Sequence, residues 1–141
     1  MNEEELKNAL AKQYSDTVID HGMHPRNFFD LEQPDGYAKI KGSCGDTMEF
    51  FLIIKKGEVV KISFLTDGCI TSLAAGSMTV EMAAGEAIST LRRVSKDDIL
   101  DRLEGLPADS EHCAQLAADT LHAAIDEYLS LGRDSWKRYY K

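Results

Sequence analysis

MEFFLIIKKGEVVKISFLT, residues 48–66, is the stretch whose reading decides the fold. Its two halves, MEFFLIIK and VVKISFLT, are rich in β-branched and aromatic residues, which suit a half-buried pleated surface. The Lys55-Lys56-Gly57-Glu58 segment between them reads as a tight hairpin turn, with Gly57 able to take a positive φ. Upstream, YAKIKGSC (37–44) alternates, placing Ala38, Ile40, Gly42 and Cys44 on one face. It adds a strand that ends at Cys44. Downstream, the third strand ends at TDGC (66–69), and a helix is predicted from about residue 70 to 84, closed by Gly85.

Working outward, Ser95 followed by Asp98 forms a capping-box pattern for a short helix through Leu103, stopped by Gly105. LPADS (106–110) reads as a loop. A long helix then starts near Ser110, with Cys113, Leu116, Ala117, Thr120, Leu121, Ala124 and Tyr128 tracing one face. At the other end, residues 3–21 read as one helix. Leu6, Leu10, Tyr14 and Val18 recur every four residues, Glu3, Glu4 and Glu5 suit the positive end of the dipole, and Pro25 disfavours helix at His24. Strands grouped together and helices grouped after them argue against a βαβ arrangement. The predicted class is α+β: a small three-stranded antiparallel sheet packed on one side by helices, with an N-terminal helix and a long C-terminal helix. The 141 residues read as one domain, with a core over about 14–128 and a tail at 132–141.

Composition narrows the function classes. Hydrophobic residues make up 43%, enough for a core without a metal or disulfide to hold it. A net charge of −8 and a pI near 4.9 argue against nucleic acid and anionic membranes as partners. No apolar run of about 18 residues is present, and MNEEELKNAL lacks signal-peptide character. A cytoplasmic location is expected. There the cysteines, Cys44, Cys69 and Cys113, do not suggest a disulfide framework. They are core filler, reactive thiols or metal ligands.

Each cysteine falls at an element boundary: Cys44 at a strand end, Cys69 in the turn before a helix, Cys113 in the first turn of the long helix. These boundaries gather at one edge of such a domain. A helix start lowers a thiol pKa, which favours Cys69 and Cys113. Asp46 follows Cys44 by two residues and His112 adjoins Cys113, so thiolate, carboxylate and imidazole are all at hand.

HPRNF (24–28), GSCGD (42–46), TDGC (66–69) and LPADSEHCAQLAADTLHAAI (106–125), in that order, resemble the IscU/NifU-type scaffold of iron–sulfur cluster assembly. The resemblance runs from about Tyr14 to Tyr128. It implies that Cys44, Cys69 and Cys113 bind the cluster, and that Asp46 and His112 are additional ligands or ligand-exchange groups. It further implies a non-enzymatic scaffold. On it a [2Fe–2S] cluster is built from iron and from sulfur supplied by a cysteine desulfurase, with electrons from a ferredoxin or reductase, and is then passed to recipient apo iron–sulfur proteins. In some family members the empty site holds zinc. Stable ferredoxin clusters use four cysteine thiolates, and this chain offers three, a shortage that suits release. Cys113 is the leading persulfide acceptor and Cys69 the runner-up. Two alternatives are a zinc-containing persulfide sulfurtransferase and a zinc-bound interaction module. A homodimer sharing ligands and a monomer are both open.

Departures from the family pattern are visible. The Leu-Pro-Pro-Val-Lys loop read by a dedicated Hsp70 chaperone is here Leu106-Pro107-Ala108-Asp109-Ser110, which weakens the expectation of that partner. Ile70 follows the second cysteine, and Gly76 is expected to interrupt the helix behind it. Neither the long insertion of the zinc sulfurtransferase-like branch nor a second domain is expected. Elsewhere, His21 reads as a surface or capping histidine and His122 as structural. Pro25, Arg26 and Asn27 read as the turn into the sheet, Lys41 as solvated, and Met78 and Met82 as core. The basic, aromatic tail around Trp136, Tyr139 and Tyr140 reads equally as a docking segment or a helix end.

Overall fold

In a computed structural model, residues 2–131 are described, and the tail at 132–141, with its reading as a docking segment, lies outside them. The hairpin is present: β2 (Thr47–Lys55) and β3 (Glu58–Thr66) pair antiparallel through a two-residue loop in which Lys56 and Gly57 both take positive φ, 53° and 77°. Two positive φ values match the right-handed twist of the flanking strands. β1 (Gly36–Lys41) pairs with β2 on its other side, giving the order β1-β2-β3.

The register puts Ala38 opposite Phe50, Ile40 opposite Met48, Phe50 opposite Phe64 and Leu52 opposite Ile62. With period two these share one face. Met48, Phe50, Leu52, Ile62 and Phe64 are fully buried there, each such side chain contributing about 1.5–3 kcal/mol. The helices that cover this face are α3 (Ile70–Ala83) and α6 (His112–Leu131), against β3 and against β1 and β2 respectively. Ten of the 14 residues of α3 are buried, because α2 (Asp16–Met23) packs on its far side and α6 along another. A helix so enclosed needs small residues where backbones approach. Gly76 is one: a Cβ there would strike the Phe64 ring. The helix runs through this glycine without a break, so the glycine serves packing rather than interruption.

Several local expectations are corrected. The N-terminal segment is two helices, α1 (Glu3–Leu10) and α2, rather than one over 3–21. Ser15 caps α2 by accepting the Val18 N–H at 3.1 Å, and its hydroxyl donates to the Leu103 carbonyl at 2.6 Å. A tertiary contact thus breaks an apparently continuous helical period. His21 is 3% exposed, not a surface group. Between α3 and α6 lie a short helix that was not anticipated, α4 (Ile88–Leu91), the capping-box helix α5 (Lys96–Arg102) and a 3₁₀ turn at Ala108–Ser110. Gly85 and Gly105 take φ of 82° and 91° where helix stops were expected.

The outer edge of β3 is blunted at both ends. Asn27, at φ 52°, accepts the Phe64 N–H at 3.0 Å and donates its side-chain amide to the Ile62 carbonyl at 2.9 Å. Val59 exchanges hydrogen bonds with the Glu86 carbonyl and the Gly85 N–H. An edge so covered is a poor template for another strand. Arg26 pairs with Asp20 at 2.7 Å, holding the turn to α2. Among the described residues, no helix is long and apolar enough to cross a membrane.

Candidate functional site

Three chain turns meet at one end of the sheet. The first joins β1 to β2. Cys44 lies in it rather than ending β1, since Gly42 N–H reaches back to the Asp46 carbonyl at 2.7 Å and Gly45 takes φ 93°. The second joins β3 to α3. It is stitched to the first by the Asp67 carboxylate, which accepts the Thr47 N–H at 2.7 Å, and by the Thr66 hydroxyl, which donates to the Thr47 carbonyl at 2.6 Å. The third is the start of α6. Cys69 is the N-cap of α3, and Cys113 is the second residue of α6.

A chain of short contacts runs through these turns. Cys69 Sγ lies 3.3 Å from Thr71 Oγ1, which lies 3.3 Å from Cys113 Sγ. Ser72 Oγ is 3.5 Å from that sulfur and donates to Asp46 Oδ2 at 3.2 Å. His112 Nε2 is 3.7 Å from Cys113 Sγ. Gly68 allows the crowding, since a Cβ there would stand 2.6 Å from Ser72 Cβ and 2.7 Å from Asp46 Oδ2. Cys44 sits two residues before Asp46 on the same turn. Cys69, Cys113, Asp46 and His112 are thus drawn together, with Cys44 beside them on its exposed turn. Two hydroxyls, Thr71 and Ser72, stand between the predicted ligands. Among the described residues, no three His, Cys, Asp or Glu side chains already stand in coordination geometry.

The electrostatics reverse the expected order of acidity. The Thr71 hydroxyl, with help from the Thr71 and Ser72 backbone N–H groups at the start of α3, lowers the Cys69 thiol pKa against a smaller effect of burial. Cys113 is 2% exposed, and burial pushes its thiol up despite the Ser72 and Thr71 hydroxyls. A helix start was expected to favour both; desolvation wins at the buried one. Cys44 and Cys69 are exposed.

Thr71 and Ser72 were missed from the sequence. The available signal was CITS (69–72), with two hydroxyls inside the first helical turn after a cysteine. His122, read as structural, has Nε2 buried without a hydrogen-bond partner among the described residues. A groove of about 460 Å³ lined by Arg92, Arg93, Lys96, Asp119 and His122, among others, contains none of the five predicted ligands.

The fold and site together define a small α+β protein that draws two thiols, a carboxylate and an imidazole together at one end of its sheet, with a third thiol exposed on the Asp46 turn. Residues 13–133 match the family described as NifU-like N terminal domain, and the chain belongs to that family. It is 39% identical over 116 residues to "Iron-sulfur cluster assembly scaffold protein IscU 1" of Archaeoglobus fulgidus, covering 82% of this chain and 76% of that protein. It is 34% identical over 122 residues to "Iron-sulfur cluster assembly scaffold protein IscU" of Escherichia coli, covering 83% and 94%. A crystal structure of a nitrogen-fixing NifU-like protein (N-terminal) from Brucella abortus shares the fold, with a TM-score of 0.68 at 17% identity over 82% of this chain and 94% of that one.

Proposed function

We propose that this chain is a non-enzymatic scaffold on which an iron–sulfur cluster is assembled and then handed on. The relatives named as scaffolds support this reading. The observation that carries it is the contact chain Cys69–Thr71–Cys113–Ser72–Asp46, which unites groups from three distant turns. Iron and sulfide are cargo. Cys44, Cys69 and Cys113 hold them, and the cluster is of the [2Fe–2S] type. Asp46 and His112 offer the exchangeable fourth position, because an oxygen or imidazole ligand leaves iron more readily than a thiolate.

Sulfur arrives as a persulfide on a cysteine desulfurase. A thiolate here attacks the outer sulfur, the donor S–S bond breaks, and the donor leaves as thiolate. Exposure and lowered pKa favour Cys69 for this first step over Cys113, the leading candidate by sequence, which is buried with its thiol pushed up. Electrons from a ferredoxin or reductase convert the persulfide to sulfide, and the cluster moves to an apo-protein by ligand exchange.

Iron and acid-labile sulfide are measured after anaerobic purification or reconstitution, for the parent and for Cys44→Ser, Cys69→Ser and Cys113→Ser. The expected result is iron and sulfide in equal amounts in the parent and loss in each variant. Zinc without sulfide in the parent, with persulfide still passing through it, overturns the scaffold reading in favour of a sulfurtransferase.

A further inference from the structure

Thr71 belongs to none of the ligand types that hold iron in this site, yet it is 1% exposed and its hydroxyl lies at the same 3.3 Å from two sulfurs. It sits at the second position of α3, so the helix backbone fixes its Cα, and its two close sulfur neighbours come from different elements. A helical threonine has two accessible χ1 rotamers, and burial with both sulfurs in contact selects the one whose hydroxyl lies between them.

A hydroxyl carries one proton and two lone pairs. It can donate to one sulfur while accepting from the other only if that other sulfur is still a thiol. When both sulfurs bind iron, neither has a proton to give. Thr71 then donates to one and must release its contact with the other. Hydrogen bonds to ligand sulfur are among the means by which a protein tunes a cluster. Ser72 Oγ also lies 3.5 Å from Cys113 Sγ but donates to Asp46 Oδ2, and Thr71 is the hydroxyl in contact with both sulfurs.

Building on the scaffold reading, we propose that Thr71 is a positioning residue of this site: its buried hydroxyl spaces Cys69 and Cys113 and hydrogen-bonds a ligand sulfur when iron is bound. Two variants separate the hydroxyl from the shape of the side chain. Thr71→Val keeps the branch and removes the hydroxyl, and Thr71→Ser does the reverse. After anaerobic reconstitution, iron and sulfide are measured in all three proteins, and stripping is read per cluster held. A chelator should strip Thr71→Val about tenfold faster than the parent, and Thr71→Ser within about twofold of it, the size expected for one hydrogen bond to a charged acceptor. Stripping of Thr71→Val at the parent rate, or of Thr71→Ser at the Thr71→Val rate, overturns the proposal.

A second measurement needs no iron. In the proposed spacing, the Thr71 proton is directed to Cys69 and the Cys113 S–H donates to Thr71 Oγ1, so the Raman S–H stretching band of Cys113, assigned with Cys44→Ser and Cys113→Ser, should move to higher frequency in Thr71→Val and return in Thr71→Ser. A band that does not move overturns the spacing role. If the parent takes up no iron and sulfide, the scaffold reading fails, and this band alone decides the role of Thr71.

Discussion

Ser77 Oγ on α3 stands 2.7 Å from Nδ1 of His21 on α2, and the same hydroxyl accepts the Arg26 backbone N–H at 2.9 Å. With the Arg26 N–H donating, the hydroxyl proton is free to point at Nδ1. The imidazole proton then sits on Nε2, 3.7 Å from Glu81 Oε2. The arrangement suits a neutral ring. Burial first, and the nearby Arg26 second, lower the His21 pKa from 6.5, while Glu81 and Asp20 only partly oppose them.

The sign of the pH dependence follows. A base whose pKa is depressed by folding takes up its proton more readily in the unfolded chain. Its contribution is fully present above the unfolded value of 6.5 and is lost as pH falls from there toward the lower folded value. The urea midpoint should therefore be lower at about pH 5.5 than at about pH 7.5, and His21→Asn should flatten the difference. Equal midpoints in the parent at the two pH values would refute this.

Gly76 faces the Phe64 ring with no room for a Cβ. Gly76→Ala should destabilise by about 1–3 kcal/mol through overpacking, even though alanine is the better helix former. Adding Phe64→Leu should recover part of the loss, since contacting sites are coupled. Thermal melts of the two single variants and the double variant check this, and strictly additive losses count against it.

The three thiols should react in a fixed order. Cys44 and Cys69 are exposed, and the Thr71 hydroxyl lowers the Cys69 pKa, whereas Cys113 is buried with its thiol pushed up. With iodoacetamide on metal-free protein, followed by peptide mass spectrometry, Cys113 should lag by about tenfold or more. Labelling of Cys113 before Cys69 contradicts the arrangement.

Asp46 is tied to Ser72 and lies against Gly68. On the proposed scaffold role, removing the Asp46 carboxylate in Asp46→Ala should slow cluster transfer to an apo-protein by roughly tenfold, with iron and sulfide still bound. A variant that gives up its cluster faster than the parent speaks against this role. Gly68→Ala, which forces Asp46 or the buried Ser72 to shift, should reduce loading and destabilise by about 1–3 kcal/mol through overpacking. Circular dichroism melts with iron analysis read both effects.

Much of the architecture was legible because its determinants are local. The strands around Lys56-Gly57, the stops at Gly85 and Gly105 and the Ser95–Asp98 box each involve residues a few positions apart. The break between α1 and α2 was not, because the Ser15 hydroxyl that helps to end the helical run bonds to Leu103, far along the chain. Gly76 misled for the same reason: its need for a hydrogen side chain comes from Phe64 on another element. Among the candidate ligands, the residue types and boundary positions of Cys44, Asp46, Cys69, His112 and Cys113 could be read directly. The reactivity of Cys113 could not, since a helix start raises acidity and burial lowers it, and only packing sets the balance.

The amino-acid order alone determined the α+β class, the three-strand hairpin arrangement and which side chains have the chemistry to hold iron and sulfur, since periodicity, turn chemistry and ligand type are properties of short stretches. Tertiary structure alone decided that Thr71 and Ser72 stand between the candidate ligands Cys69, Cys113 and Asp46, that Cys69 rather than Cys113 is the exposed, more acidic thiol of the two, and that His21 is buried against Ser77. Contact distance and desolvation depend on where distant segments come to rest against one another, which no local pattern encodes.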